Sequence, residues 1–273
     1  MKSKPANKIQ DLQFFGEFGG VNPSISDSST YTFLSANSMS ETFEGNMEGC
    51  YLYSRNSSPS NLYLEEACAA MEGTEAANVF SSGMGAITST ILQLCKSGDH
   101  IISSRTVYGG TYAFLKNFTP QLGIETSFVN ITSLDDIKKS IKPNTKIIYC
   151  EVSSNPLLEI ADLKLISKIA KKNNLKLIVD NTFTPLSITP AKHGADIVIH
   201  SLTKFINGTS DTIAGVVCSN KEFIHSLRDV NDGAFMLFGA TMDSLRAASV
   251  LKNMRTLHIR MKKHSENALY LAQ

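Results

Sequence analysis

The chain has 273 residues, 42% of them hydrophobic, and its 26 basic residues almost balance its 25 acidic ones. A chain of this length can bury the core of one large domain or of two smaller ones. No basic stripe with interleaved aromatics favours nucleic-acid binding. No apolar stretch approaches the roughly 20 residues of a membrane span, and the start MKSKPANKIQ lacks the apolar run of a signal peptide, so we expect neither.

The cysteines are odd in number, widely spaced and form no CxxC pair; they are Cys50, Cys68, Cys95, Cys150 and Cys218. This pattern favours reduced, mostly buried thiols in a cytoplasmic protein over a disulfide framework or a zinc site. The six histidines also lack the spacing of metal ligands. We therefore expect no metal.

Residues 1–60 are dense in serine, asparagine, glycine and aromatics and show little periodicity. A segment this long without secondary structure of its own seldom packs on its own body. The sequence therefore predicts either a mobile segment or an arm that lies on a partner subunit.

The pattern becomes regular after residue 60. Residues 61–73 alternate faces at helical spacing and end at Gly73, and helices are also predicted at 133–141 and 162–173, each with a Ser or Asp near its start as a cap. Short apolar runs predict strands at 77–80, 100–103, 124–129, 146–150, 176–180, 196–200 and 213–218. Strands that are apolar throughout and alternate with helices favour an α/β fold, with a mainly parallel sheet covered on both faces.

Residues 241–273 carry one long helical pattern. Its apolar positions are Ala248, Leu251, Met254, Leu257 and Met261. The pattern reaches Gln273 with no cap signal and no closing strand, so we expect the helix to lead into a part that the sequence does not contain. Its arginines are expected to be solvated helix charges; they are Arg246, Arg255 and Arg260.

The stretch SSGMGAIT, residues 81–88, predicts a strand that ends in small residues and a helix that begins at Gly83 or Gly85. Free backbone N–H groups at such a helix start attract an anion, and phosphate suits it. The third glycine and the later acidic residue of a dinucleotide fingerprint are missing. A plain tight turn is the alternative.

Two further residues follow predicted strands. Asp180 ends the strand in KLIVDNTFTP, where ligands of open α/β sheets gather, and is either a helix cap or the partner of a buried cation. Lys204 lies in the hydroxyl-rich stretch SLTKFINGTSD. It is either a surface lysine or a partly desolvated amine that forms an imine with an aldehyde. With the anion turn, these residues match the needs of pyridoxal phosphate (PLP): a phosphate anchor, an amine for its aldehyde and an acid for its ring nitrogen.

The motifs that surround these residues resemble, in order, those of the trans-sulfuration, or Cys/Met-metabolism, family of PLP-dependent enzymes. They are YLYSRNSSPS (51–60), FSSGMGAI (80–87), TVYGGTYAFL (106–115), EVSSNP (151–156), VDNTF (179–183) and DIVIHSLTKFINGTSD (196–211). The resemblance implies the aspartate aminotransferase-like fold, known as fold type I, with a mainly parallel seven-stranded sheet. It also implies β/γ-elimination or γ-replacement on cysteine- or homoserine-type substrates, in a dimer with shared active sites that assembles into a homotetramer.

The resemblance also assigns roles to single residues. Lys204 would bind the cofactor's aldehyde and later move protons, Asp180 would pair with the ring nitrogen, and Tyr108 would stack on the ring. The phosphate would be held by Ser82, Gly83 and Met84, helped by Ser201 and Thr203. Asn155 would lie near the 3′-oxygen, while Tyr53 and Arg55 would reach the phosphate of a neighbouring subunit, where the guanidinium fork suits an anion.

The resemblance divides the chain into an arm at 1–60, a PLP-binding domain at 61–240 and a helix at 241–273 that leads to an absent C-terminal domain. In the family, that domain supplies the arginine for the substrate's α-carboxylate. Two local departures are the altered turn RNSSPS at 55–60, where the family has RxxNPT, and Gly110, where methionine γ-lyases typically carry cysteine. Two alternatives stay open: a non-catalytic PLP-binding or subunit-pairing fragment, and a nicotinamide-dependent dehydrogenase that would rest on Gly83 and Gly85 alone.

Overall fold

The sheet is the element on which the rest of the chain is built. The computed structural model describes residues 4–33, 35–44 and 49–273. Within them, the strands of the sheet are β1 (Ala76–Phe80), β2 (His100–Ser104), β3 (Glu125–Val129), β4 (Thr145–Glu151), β5 (Lys176–Asp180), β6 (Ile197–Ser201) and β7 (Gly215–Ser219). The order across the sheet is β1-β7-β6-β5-β4-β2-β3. β7 runs antiparallel to both of its neighbours, whereas the remaining pairs are parallel.

Helices cover both faces of this sheet. They are α1 (Pro5–Asp11), α2 (Ala36–Phe43), α3 (Pro59–Glu72), α4 (Gly83–Leu94), α5 (Gly109–Ala113), α6 (Leu134–Lys139), α7 (Leu163–Lys172), α8 (Lys221–Arg228), α9 (Ala234–Phe238), α10 (Ser244–Met254) and α11 (Leu257–Ala272). Successive residues of β7 enter opposite cores: Val216 packs in the cluster beneath α3 and α10, and Val217 in the cluster beneath α4. The expected α/β fold with a mainly parallel seven-stranded sheet is confirmed.

Helix caps explain where the elements around the site begin. The Ser58 side chain accepts a hydrogen bond from the Asn61 backbone N–H, and Pro59 occupies the first turn of α3. For this reason α3 starts two residues before the predicted 61–73. Gly73 ends the helix in the left-handed conformation, with φ 72°.

The first residues of the chain correct one expectation. Ile9 of α1 is buried in the cluster beneath α3, the Phe14 ring lies 4.9 Å from that of Tyr63, and the Gln10 side chain donates to the Arg255 carbonyl at 2.7 Å. Residues 5–14 therefore pack on the chain's own body. Residues 58–60 also belong to the chain's own body, as the cap and first turn of α3. That the remainder of 1–60 lies on a partner stays a prediction, and residues 1–3, 34 and 45–48 of that segment lie outside the described residues.

The predicted helix over 241–273 is two helices, α10 and α11. The break at Thr256 follows from competition for the Asn253 carbonyl, which accepts hydrogen bonds from the Thr256 hydroxyl at 3.2 Å and from Arg260 at 3.0 Å. Arg260 also donates to the carbonyls of Phe205 and Ile206. The expectation that Arg260 is a solvated charge is therefore wrong; Arg246 and Arg255 are exposed, as predicted.

No helix among the described residues is long and apolar enough to cross a lipid bilayer.

Candidate active site

A cavity of about 510 Å³ opens at the carboxyl ends of β4, β5 and β6, beside the turn that joins β1 to α4. This is the edge of an open α/β sheet at which ligands bind. Its lining contains nine of the predicted site residues: Ser82, Gly83, Met84, Tyr108, Asn155, Asp180, Ser201, Thr203 and Lys204. The cavity thus brings together residues that are spread over more than a hundred positions of sequence.

The start of α4 forms one wall of the cavity and is suited to an anion. Ser82 is the N-cap, and its hydroxyl accepts a hydrogen bond from the Gly85 N–H at 2.9 Å. The first turn contains no acidic residue, so the positive end of the helix is not neutralised. At Gly83 an added Cβ would lie 2.8 Å from the Ser201 Cβ, which shows how closely the helix start approaches the end of β6.

Gly215 of β7 supports the same turn from below. A Cβ at this position would lie 2.3 Å from the Ser82 carbonyl oxygen and 2.9 Å from the Gly83 Cα. We predict that Gly215→Ala displaces the Ser82–Gly83 turn, weakens cofactor binding and destabilises the fold by about 1–3 kcal/mol through overpacking. Cofactor titration and thermal unfolding measure both effects.

The matched control for that substitution is Gly109→Ala, because nothing lies within 4 Å of a Cβ at Gly109. Gly109 lies in α5, where alanine is the better helix former, so its Tm should stay the same or rise slightly. Equal Tm and cofactor affinity in the Gly215 variant and the wild type would contradict the prediction.

Asp180 is a buried carboxylate at the floor of the cavity. Its Oδ1 accepts a hydrogen bond from the Thr182 N–H at 2.8 Å, and its Oδ2 lies 3.4 Å from the Tyr149 hydroxyl. Burial raises the pKa of Asp180, although the Thr182 bonds oppose the rise. Because these hydrogen-bond donors are neutral, a cationic N–H from a bound group would suit this carboxylate better than they do.

Glu151 is a second buried carboxylate in the cavity, and the sequence reasoning missed it. It ends β4, directly in register with Asp180 on β5. Its carboxylate accepts hydrogen bonds from the Tyr108 N–H at 2.6 Å and the Asn155 N–H at 3.1 Å. Burial, and next the negative charge of Asp180, raise the pKa of Glu151 to about 7, against the effect of the two N–H bonds.

Lys204 lies in the loop between β6 and β7, and its side chain lines the cavity. The loop is fixed on one side by Asp211, whose Oδ1 accepts hydrogen bonds from the Asn207 amide at 2.8 Å and the Thr209 hydroxyl at 2.7 Å. On the other side, Arg260 holds the carbonyls that follow Lys204. Lys204 is exposed in this chain by itself, and that its amine forms an imine with an aldehyde stays a prediction.

Thr203 and Thr182 fasten the ends of this loop to the sheet. The Thr203 hydroxyl accepts from the Ala214 N–H at 3.0 Å, and the Thr182 hydroxyl accepts from the Ser201 N–H at 2.7 Å. Thr182 therefore links Asp180, through its N–H, to the strand that precedes Lys204. The sequence signals for Thr182 are its place two residues after a predicted strand end and its membership of the motif VDNTF.

Tyr53 and Arg55 do not line this cavity in the described part of the chain. The Arg55 guanidinium lies 5.5 Å from the centroid of the Tyr53 ring and donates to the Met236 carbonyl at 3.0 Å. Tyr53 itself pairs with Thr30 in an isolated β-bridge. That the two residues serve a neighbouring subunit stays a prediction.

The cavity fits PLP on three observations made above. The start of α4 offers free N–H groups for a phosphate, the buried Asp180 matches a protonated ring nitrogen, and the Lys204 amine can meet an aldehyde. Fold and site together define the class as a PLP-dependent enzyme of fold type I.

The comparisons with known proteins agree with this class. The family model described as "Cys/Met metabolism PLP-dependent enzyme" matches residues 8–273. The chain is 41% identical over 275 residues to a methionine gamma-lyase of Arabidopsis thaliana, covering 98% of this chain and 62% of that protein. It is 42% identical over 224 residues to a cystathionine gamma-lyase of Bacillus subtilis, covering 81% of this chain and 58% of that protein. The chain therefore belongs to the Cys/Met-metabolism family of PLP-dependent enzymes, and the nicotinamide alternative is wrong.

A solved structure supports the same assignment. A Campylobacter jejuni protein described as an O-acetylhomoserine (thiol)-lyase matches with a TM-score of 0.90 and 28% identity, over 99% of this chain and 75% of that one. That structure contains N′-pyridoxyl-lysine-5′-monophosphate, which is the reduced adduct of PLP with a lysine. The chain spans about 62% of the length of the Arabidopsis relative.

Proposed function

We propose that the chain carries the cofactor site of an enzyme that breaks or forms a carbon–sulfur bond, by β/γ-elimination or γ-replacement on cysteine- or homoserine-type amino acids. The observation that carries this proposal is the common cavity of Lys204, Asp180 and the start of α4. Relatives named methionine gamma-lyase, cystathionine gamma-lyase and cystathionine beta-lyase support the substrate class.

Each of the site residues would have its own role with the cofactor or the substrate. The N–H groups at Gly83 and Met84, with the hydroxyls of Ser82, Ser201 and Thr203, would hold the phosphate. When bound, PLP would supply an electron-withdrawing ring that stabilises negative charge at the substrate's α-carbon. Asp180 would keep the proton on the ring nitrogen. Lys204 would bind the aldehyde, and its amine would serve as base and then acid at the substrate carbons.

Two side chains define the faces of the site. The half-exposed Tyr108 lines the cavity and would lie against the ring, while Asn155, which also lines it, would contact the ring oxygen. A Cβ at Gly110 would lie 2.6 Å from the Tyr108 ring and 3.0 Å from the Met84 sulfur. Glycine at this position therefore leaves the space that the Tyr108 ring and the Met84 sulfur occupy.

We also propose that the assembled enzyme is a homotetramer built from dimers with shared sites. Tyr53 and Arg55 would complete the phosphate site of a partner subunit, since neither lines the cavity of its own chain. The free cysteines favour a reducing compartment such as the cytoplasm.

Incubation of the full-length protein with methionine, cystathionine or O-acetylhomoserine tests the proposal. We expect a shift of the cofactor's visible absorbance with each bound amino acid. Elimination would release a keto acid and ammonia, together with a thiol from methionine or cystathionine and with acetate from O-acetylhomoserine. Replacement would need an added thiol and would release acetate from O-acetylhomoserine without ammonia or a keto acid. Mass spectrometry of the products distinguishes these outcomes.

The second candidate is a PLP-binding or subunit-pairing fragment without turnover. It is favoured by the length comparison, in which the chain spans 62% of a relative. The 273-residue chain assayed beside the full-length protein separates the two. Visible colour with no product from the shorter chain would support the fragment, and product from it would support the enzyme.

A further inference from the structure

Glu151 lies in the cavity and has no role in the proposed chemistry. It is buried, with 7% of its surface exposed, and it lines the cavity. Each carboxylate oxygen accepts one backbone N–H: Oε1 accepts from Tyr108, at 2.6 Å, and Oε2 from Asn155, at 3.1 Å. These donors belong to two separate segments, one after β2 and one after β4, and each segment presents a side chain to the cavity.

We infer that Glu151 is a positioning residue, whose carboxylate fixes the segments of Tyr108 and Asn155 to the cavity wall and so presets the ring contacts. This inference rests on the proposed function and deepens it. Glu151 itself touches the backbone of these residues, not the reacting atoms. It acts by fixing the backbone of Tyr108 and Asn155, whose side chains line the cavity and would contact the ring.

The same two segments are also joined outside the cavity, which shows that Glu151 is not needed merely to connect them. Glu159 accepts from the Thr106 hydroxyl at 2.8 Å and from Arg105 at 3.3 Å. Backbone bonds such as that from the Ser154 N–H to the Glu159 carbonyl, at 3.0 Å, close the second segment on itself. Because Glu159 is partly exposed to solvent, it can join the two segments with little loss of stability.

Glu151 makes its two hydrogen bonds at a buried position, where a charged group destabilises the fold. It is buried beside Asp180, and two carboxylates in one buried place disfavour each other's ionisation. A glutamate at this position is therefore not explained by its contribution to the stability of the fold. A carboxylate nevertheless suits a position that must bind two N–H groups at the cavity wall, because it offers a separate acceptor oxygen to each of them.

Burial and Asp180 raise the pKa of Glu151 to about 7, so its charge is sensitive to what the cavity holds. The titratable groups around it come from every neighbouring element: Tyr149 and Cys150 of β4, Asp180 of β5, Tyr108 before α5 and Lys204 of the β6–β7 loop. A cationic ring nitrogen at Asp180 would weaken the repulsion between the two carboxylates. The N–H bonds to Glu151 would then strengthen as the cofactor binds.

Glu151→Gln in the full-length holoenzyme tests the inference. The amide keeps one acceptor oxygen but turns an NH₂ group toward the second backbone N–H, so one of the two segments is released. We expect the circular dichroism of the bound cofactor, in its visible band and per bound PLP, to fall to half or less. The kcat should fall at least about tenfold, with a smaller change in KM, because misplacement by an ångström is costly to catalysis.

The matched control is Glu159→Gln, which alters a glutamate that joins the same segments on the outside. It should leave the visible circular dichroism and kcat within about twofold of the wild type, a change of under half a kcal/mol in barrier. The Tm of the Glu151 variant should equal or exceed that of the wild type, since a buried charge is removed.

Three results would overturn the inference. They are an unchanged visible circular dichroism in the Glu151 variant, equal losses in both variants, and a loss that accompanies a large fall in Tm. The proposed function fails separately, if the wild-type protein binds PLP but yields no product. In that case the visible circular dichroism of wild type and variants still reports on the position of the ring.

Discussion

Replacing Lys204 with alanine is expected to abolish covalent retention of the cofactor and to lower turnover by at least about 10³-fold, through the loss of both the aldehyde's partner and the acid–base group. Lys204 is the one lysine lining the cavity among the residues that the structure describes. Borohydride reduction of the wild type, followed by peptide mass spectrometry, should therefore find the pyridoxyl group at position 204. The same treatment of the variant should find none.

Lys192→Ala is the control for this experiment. Lys192 is an exposed lysine in the 3₁₀ turn Pro190–His193, so its loss should leave the adduct and the turnover unchanged. A pyridoxyl group on any other lysine of the wild type, or none at all with excess PLP, would contradict the role given to Lys204.

Replacing Asp180 with asparagine should lower turnover and yet stabilise the cofactor-free protein. Asparagine keeps an oxygen for the Thr182 N–H, which Asp180 binds at 2.8 Å. It removes a buried charge whose hydrogen-bond donors are neutral, so the Tm of the cofactor-free protein should rise by a few degrees. The ring nitrogen loses its anionic partner, and kcat should fall by about 10²-fold or more.

The pH dependence of stability provides an independent measurement on the same variant. The pKa of Asp180 is raised in the folded chain, so the stability linked to this group is fully present below its unfolded pKa and is lost as pH rises through the folded pKa. Glu151 acts with the same sign up to a pKa of about 7. The Asp180 variant should lack the first of these losses and keep the second, moved to lower pH because the charge of Asp180 no longer raises the pKa of Glu151.

Asp162→Asn is the control for the Asp180 variant, because Asp162 is an exposed cap of α7 that accepts from the Leu165 N–H at 3.1 Å, and asparagine caps equally well. It should change neither Tm nor turnover. A Tm of the Asp180 variant below that of the wild type would show that the carboxylate stabilises the fold, contrary to our account.

The central strands could be predicted because they are largely apolar and are buried between helices on both sides, whereas the edge strand β3 is only partly buried. The least accurate prediction was the last strand, which was expected at 213–218 but begins at Gly215. The residue responsible is Ile213, which is β-branched and apolar and therefore favours a strand. In the structure it is 69% exposed and lines the cavity. Helix α1 was missed because Ile9 alone of its seven residues is buried, which leaves no periodic stripe to detect.

The site was predictable to the extent that its residues follow strands. Ser82, Asp180 and Lys204 each come directly after an apolar run, and the ends of neighbouring strands meet at one edge of the sheet. Glu151 also ends a strand and is the first residue of the motif EVSSNP, but a single glutamate has no spacing pattern, and its role appears in its bonds to Tyr108 and Asn155. Arg260 was misjudged because its partners, the carbonyls after Lys204, are more than fifty residues away.

The order of the sheet has a consequence for the chain as it leaves the ribosome. β1 pairs with β7 alone, so the turn at Ser82 has no strand to anchor it until Ser219 has been synthesised. Strands that are far apart in sequence pair late in folding, because closing the long loop between them costs conformational entropy before their contacts form. A nascent chain that ends at β6 thus contains most of the site's residues but not the strand that anchors the turn at Ser82. We therefore expect PLP to bind only after β7 has been synthesised and paired with β1.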